Sequence, residues 1–277
     1  MKYSILILLG IFIYPQANDF ALETGDMYFE LKDYDDAEIE YKRFLFFNNN
    51  NSNNYDVFKK IFQCQILLKK WESAIETNDY LYKNTTNDSI RNEILIDKAK
   101  LFMSADNIDK AAIILNKIIA FSSFENIKTR AQFLLGICNL YSFKWDKAKY
   151  NFNLYFNKKY ESELEKIFQD KNNLKIKSQY VARNLSIIIP GAGQIYTKDY
   201  KNGINAFLLN LSTSYLLLNS IYLKNYLDAF IIYLTPFERY YTGNIANTKR
   251  IVEEYNENQM KVYSNLILNK INNLNKI

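Results

Sequence analysis

Four alanines recur at intervals of 37 residues, Ala37, Ala74, Ala111 and Ala148. Each closes the same phrase: Tyr34-Asp35-Asp36-Ala37, Trp71-Glu72-Ser73-Ala74, Ile108-Asp109-Lys110-Ala111 and Trp145-Asp146-Lys147-Ala148. The shared order is a large apolar residue, an acid, a variable residue and alanine. Self-similarity at a fixed period of this size is the signature of stacked units, each too small to bury its own apolar face.

The acids Asp35, Glu72, Asp109 and Asp146 stand where a helix would begin. A carboxylate there answers free backbone N–H groups and the positive end of the helix dipole. Four residues past each alanine come Tyr41, Asn78, Leu115 and Phe152, and seven past come Phe44, Leu81, Ile118 and Tyr155. Steps of four and seven share one helix face, so each alanine opens a helix with an apolar stripe. Nine and twelve residues before it, Tyr28, Gln65, Phe102 and Asn139 and then Gly25, Phe62, Ala99 and Gly136 mark a preceding helix. The unit reads helix, short turn, helix.

On these residues the unit resembles the tetratricopeptide repeat (TPR). Gly25, Tyr28, Tyr34, Ala37, Tyr41 and Phe44 form the best copy, followed by Gly136, Trp145, Ala148, Phe152 and Tyr155. The resemblance covers roughly residues 20–156. It departs from the family's period of about 34 residues, lacks proline between Pro15 and Pro190, and has Phe62 at a small-residue position. It implies an all-α, TPR-like helical-hairpin solenoid of about four repeats, with a groove lined by the first helices. Carried onto this chain, the implied partner-binding positions are Asp26, Phe29, Lys59, Gln63, Lys100, Met103, Arg130 and Phe133.

The chain contains no histidine. That removes Ser-His-Asp and Cys-His nucleophile systems and imidazole metal ligands, and two cysteines alone cannot build a thiolate zinc site. Cys64 and Cys138 lie ten residues before a repeat alanine, two units apart. Helices stack about 8–10 Å apart, beyond the roughly 7 Å Cα limit of a disulfide, so both read as small core residues. The net charge of +5 is mild and no compact basic block is present, so nucleic acid is not the expected partner. No catalytic, cofactor or metal site is expected.

Met1–Ser4 followed by the apolar run Ile5–Ile13 and Ala17 fits a signal peptide over residues 1–17, being too short for the ~20 residues of a membrane span. The repeat domain is expected over 18–157, with Asn48–Asn54 as a solvated loop, and a charged capping helix and linker over 158–182, since a solenoid needs a polar-backed end.

Composition changes near Arg183, and a hydrophobic membrane hairpin is expected over 183–250. Pro190, Gly191 and Gly193 interrupt the run Leu185–Tyr196, and Gly203–Leu223 is 21 residues without a charge, long enough for a transmembrane helix. Lys224-Asn225 makes a turn, and a second apolar arm, Tyr226–Thr235, ends at Pro236, Glu238 and Arg239. The motif Pro190, Gly191, Gly193, Gln194, Tyr196 and Gly203, closed by Tyr241-Thr-Gly-Asn-Ile245, resembles a small membrane hairpin domain appended to bacterial envelope repeat proteins. A phosphate-cradling P-loop would need a strand-to-helix setting and a placed lysine, which the motif lacks. Residues 251–277 read as an amphipathic tail.

Basic residues flank the hairpin, which by the positive-inside tendency favours cytoplasmic flanks, but long exported domains override that bias. The expected role is therefore a non-enzymatic, membrane-tethered protein–protein interaction scaffold of the bacterial cell envelope, exported, with the repeats periplasmic or otherwise extracytoplasmic. The alternatives are an envelope assembly or secretion component that binds substrate polypeptides, and a soluble exported helical-repeat protein whose apolar helices extend the solenoid core.

Overall fold

The computed structural model describes residues 20–48, 54–169 and 174–275. The expected signal peptide and most of the Asn48–Asn54 loop lie outside the described residues. The described residues are helical, without a strand, and divide into two compact units, one ending at Leu164 and one beginning at Glu165.

In the first unit, α1 covers residues 20–30. It is followed by α2 (Tyr34–Phe47), α3 (Asn54–Leu67), α4 (Trp71–Asn84), α5 (Asp88–Ser104), α6 (Ile108–Phe121), α7 (Glu125–Tyr141) and α8 (Trp145–Tyr155). Helices adjacent in sequence pack on each other in a repeat-like arrangement. The 37-residue spacing has a backbone counterpart. Lys32, Lys69, Asp106 and Phe143 all sit in the left-handed region, with φ between 57° and 64°. Each such turn closes the preceding helix the same way: Asp33, Lys70, Asn107 and Lys144 donate N–H to the carbonyls of Tyr28, Gln65, Phe102 and Asn139. This is the bond pattern of a Schellman helix stop.

Glycine would ordinarily occupy such a position, because a left-handed L-residue costs about 1–2 kcal/mol. Lys69 is exposed, so its side chain gives little back in packing. Lys69→Gly is expected to stabilise the first unit by about 1 kcal/mol, read as a higher midpoint in urea unfolding.

All four repeat alanines are 0% exposed, which is what allows the paired helices to approach. The aromatic positions fill the space opposite. A methyl group on Gly25 would come within 2.7 Å of the Tyr41 ring, and one on Gly136 within 2.7 Å of the Phe152 ring. At the equivalent positions of the second unit of the pattern the sizes are exchanged, with Phe62 for the small residue and Asn78 for the aromatic; both are buried. Cys64 and Cys138 are free, buried thiols, whose pKa values burial pushes up to about 11 and about 12.

The second unit takes up the end of α9 (Glu161–Gln169), then α10 (Gln179–Ile188), α11 (Ala192–Tyr196), α12 (Tyr200–Tyr222), α13 (Tyr226–Ile232), a π-helical turn (Tyr233–Phe237) and α14 (Glu238–Leu274). The helix α14 runs straight through the segment expected as a separate tail. Its Tyr263 hydroxyl donates to the Phe168 carbonyl at 3.1 Å, and Asn256 holds both the N–H and the carbonyl of Lys177. From Tyr226 to Leu274 the helical path has no loop; the π turn holds Pro236, which has no N–H to give an α-helical ladder.

The expectation of a transmembrane helix is corrected here. The uncharged run Gly203–Leu223 does form most of α12, but Asn205, Asn210, Ser212, Thr213, Ser214 and Asn219 dilute it. Among the described residues no helix is long and apolar enough to cross a membrane.

Candidate functional site

Of the expected partner-binding residues, the structure places three in packing roles. Phe29 packs on the core beside Tyr34, Met103 packs on the core around Leu115, and Phe133 stacks against Phe152 and Tyr155 with ring centroids 5.7 and 4.8 Å away. Two others tie neighbouring helices. Asp26 accepts from the Tyr41 hydroxyl at 2.7 Å and pairs with Lys60, and Arg130 pairs with Glu93, one period away. Lys59, Gln63 and Lys100 are exposed, Lys100 beside Asp97 at 3.0 Å.

Glu38, next to the first repeat alanine, was no sequence candidate. It is 3% exposed and accepts from Lys42 at 2.6 Å, Gln65 at 3.0 Å and Lys70 at 2.9 Å; Lys70 also reaches Asp35 at 2.7 Å. Burial alone would raise the Glu38 pKa. The hydrogen bonds from Lys42, Gln65 and Lys70 outweigh it and hold the carboxyl below its ordinary 4.5. The bonds to Asp35 and Glu38 raise Lys70.

A depressed acid contributes stability that is complete above its unfolded pKa and lost as pH falls through its folded pKa. A raised lysine contributes below its unfolded pKa and loses it as pH rises through its folded pKa. Glu38→Gln is therefore expected to cost about 1–3 kcal/mol at neutral pH and much less near pH 3, measured by urea unfolding at both values.

The motif residues of the second unit converge on one place. Gly191 has φ 89°, and a Cβ there would lie 2.1 Å from the Gly203 carbonyl oxygen. Gly193 faces the Ser186 hydroxyl and Ala182 carbonyl, which a methyl group would meet at 2.4 and 2.5 Å. The Asn244 Oδ1 accepts from the Gln194 Nε2 at 2.7 Å and the Gly191 N–H at 3.2 Å, while its Nδ2 donates to the Ser186 carbonyl at 3.4 Å. The Ser186 hydroxyl accepts from the Gly193 N–H at 3.0 Å and donates to Gln194 Oε1 at 3.4 Å. Tyr241 donates to the Ile187 carbonyl, and Lys177 lies 4.2 Å over the Tyr196 ring. Pro190 precedes the left-handed Gly191. The glycines thus let the start of α11 meet α10 and α12 backbone to backbone, and the buried amides, Asn244 of α14 among them, satisfy what that meeting encloses.

Beside this knot lies a cleft of about 360 Å³, lined by Asn202, Asn205, Ala206, Leu209 and Asn210 of α12, by Arg239, Tyr240, Gly243, Asn244, Asn247 and Arg250 of α14, and by Gln194. No carboxylate lines it. The spacings are those of one helix face on each side. Asn210 is 3% exposed; its Nδ2 donates to the Ala206 carbonyl at 2.8 Å, and its Oδ1 has no partner. The cleft has no signal in the sequence, because its two walls come from separate helices, α12 and α14.

Beyond the cleft, α12 and α13 carry an apolar exterior. Sixteen large apolar side chains from Phe207 to Leu234 are exposed, among them Leu211, Leu218, Leu227 and Phe230. Four hydroxyls on these arms turn back onto their own helix: Ser212, Thr213, Ser214 and Thr235 each donate to the carbonyl four residues back. Among the described residues no group of three or more His, Cys, Asp or Glu could hold a metal ion. Comparison of the chain with protein-family models, with curated proteins and with solved structures found no match.

Proposed function

We propose that the chain is a non-enzymatic scaffold of the bacterial cell envelope: about four TPR-like units that engage a protein partner, held at a membrane by the hydrophobic hairpin of α12 and α13. The observation that carries this reading is the number of large apolar side chains left exposed on the two arms. Soluble monomers rarely expose a patch larger than a few hundred Å² unless something covers it. Serine and threonine bonded to their own helix leave few unpaired groups to resist apolar surroundings.

The hairpin enters the bilayer without crossing it. From Asn210 to Tyr222 the arm advances about 18 Å at ~1.5 Å per residue, against a hydrocarbon core of about 30 Å. The cost is the tip, where Lys224 and Asp228 go in at up to about 3 kcal/mol each. The thirteen exposed large apolar side chains from Leu211 to Leu234 gain roughly 1 kcal/mol apiece, so insertion wins. Glu238, Arg239, Tyr240 and Tyr241 then fall at the interfacial level, where such residues are favoured. The repeats would lie on the extracytoplasmic side and offer Lys59, Gln63 and Lys100 to a partner.

The test is flotation of the purified full chain with phosphatidylcholine vesicles. The wild type is expected to float, and Leu218→Asp with Leu227→Asp to stay at the bottom of the gradient with an unchanged far-ultraviolet spectrum. A wild-type chain that stays monodisperse without detergent and ignores vesicles would overturn the reading.

A further inference from the structure

We propose that the cleft between α12 and α14 is a binding site for a phosphate ester that carries a free hydroxyl, the chemistry of a phosphoglycerol group. The site has an anion half and an acceptor half. Arg239 makes no ion pair among the described residues, and Arg250, although it touches Asn247 and Glu254, keeps donors to spare. A guanidinium is shaped to hold phosphate oxygens in pairs, and no lining carboxylate competes. The acceptor half is Asn210 Oδ1, buried and unpartnered. Turning the amide over does not cure this, because its nitrogen already serves the Ala206 carbonyl. An acceptor left unpaired under cover is costly, and a hydroxyl donor that reaches it from the cleft side of α12 would remove that cost.

Gly243 makes the site testable. A Cβ built there meets nothing within 4 Å, and the residue lines the cleft, so a side chain added at this position has room and is expected to occupy the cleft. The lipid form of the proposal rests on the membrane reading above, because that reading sets Arg239 at headgroup level.

The experiment measures affinity of the full chain for vesicles of phosphatidylcholine alone, with phosphatidylglycerol, or with phosphatidylmethanol, which has the same charge and no hydroxyl. Binding of free glycerol 3-phosphate is followed by calorimetry. Phosphatidylglycerol is expected to bind about tenfold better than phosphatidylmethanol. Gly243→Leu and Arg239→Gln should remove most of the gain over phosphatidylcholine, and Asn210→Leu should erase the difference between the two anionic lipids.

Saturable binding of glycerol 3-phosphate, lost in Gly243→Leu, would identify the ligand as a soluble ester; its absence alongside the lipid effects would identify a headgroup. A gain from anionic lipid that survives Gly243→Leu, or equal affinity for the two anionic lipids together with no binding of the free ester, overturns the site. Failure to bind any vesicle sinks the tether, while calorimetry still decides the cleft.

Discussion

Gly191→Ala should unfold the junction of α10, α11, α12 and α14. A left-handed alanine costs about 1–2 kcal/mol, and forcing a methyl group against packed atoms costs about 1–3 more. The obstacle at Gly191 is the Gly203 carbonyl oxygen, 2.1 Å from the built Cβ, and a backbone oxygen cannot swing aside as a side chain can. Retreat of Gly191 from α12 would also pull its N–H from Asn244, and with it one of the three bonds that orient that amide. The total is about 2–5 kcal/mol. Hydrogen exchange is the suitable probe, with protection expected to fall over residues 186–197 and around Asn244 while α3 to α7 keep theirs. Gly243→Ala is the matched control. Its Cβ meets nothing, so it should be neutral or stabilise by about 0.5–1 kcal/mol. Equal behaviour of the two alanines would refute the account of the motif as a close-packing device.

In the first unit the largest single loss is expected from Phe152→Ala. The ring is 0% exposed, lies against Gly136 and touches Phe133 edge-on. Removing a buried phenyl costs about 3–5 kcal/mol. Gly136→Ala strikes the same contact from the other side. Its methyl group would overlap the ring, costing about 1–3 kcal/mol, partly offset by about 1 kcal/mol of helix propensity. The two residues share one space, so the double variant should lose less than the sum of the singles, because the new methyl group occupies part of the vacated volume. Strict additivity in urea unfolding would show that the glycine and the aromatic ring do not depend on each other.

What could be read from the sequence was what depends on side-chain size at fixed spacing. Ala37, Ala74, Ala111 and Ala148 are all fully buried, and Tyr41 and Phe152 fill the room left by Gly25 and Gly136. The Phe62 departure makes sense once Asn78, also buried, stands at the reciprocal position. The turn positions stayed hidden, since Lys32, Lys69, Asp106 and Phe143 share a backbone conformation but no chemistry. Glu38 stayed hidden because an acid beside an alanine looks like any solvated helix residue. Its burial arises from Lys42 on its own helix, Gln65 on the next helix and Lys70 just past that helix. At the candidate site the glycines and Asn244 were legible as motif residues and Ser186 was not, because a partner 58 residues away leaves no local pattern. The spanning helix failed because a run was judged by its lack of charge, and asparagine, serine and threonine lower hydropathy without adding any.

The unbroken path from the tip at Tyr226 to Leu274 couples the greasy arm to the cleft through rotation about a single axis. Each residue turns a helix by about 100°, so the wider π turn at Tyr233–Phe237 sets the angular phase between Leu227 and Phe230 on one side and Arg239 and Gly243 on the other. Shortening that turn by one residue would leave every side chain in place yet point the arm's apolar flank a quarter-circle or more away from its present bearing. The wedge around Pro236 thereby decides which way Leu227 and Phe230 face relative to Arg239 and Gly243.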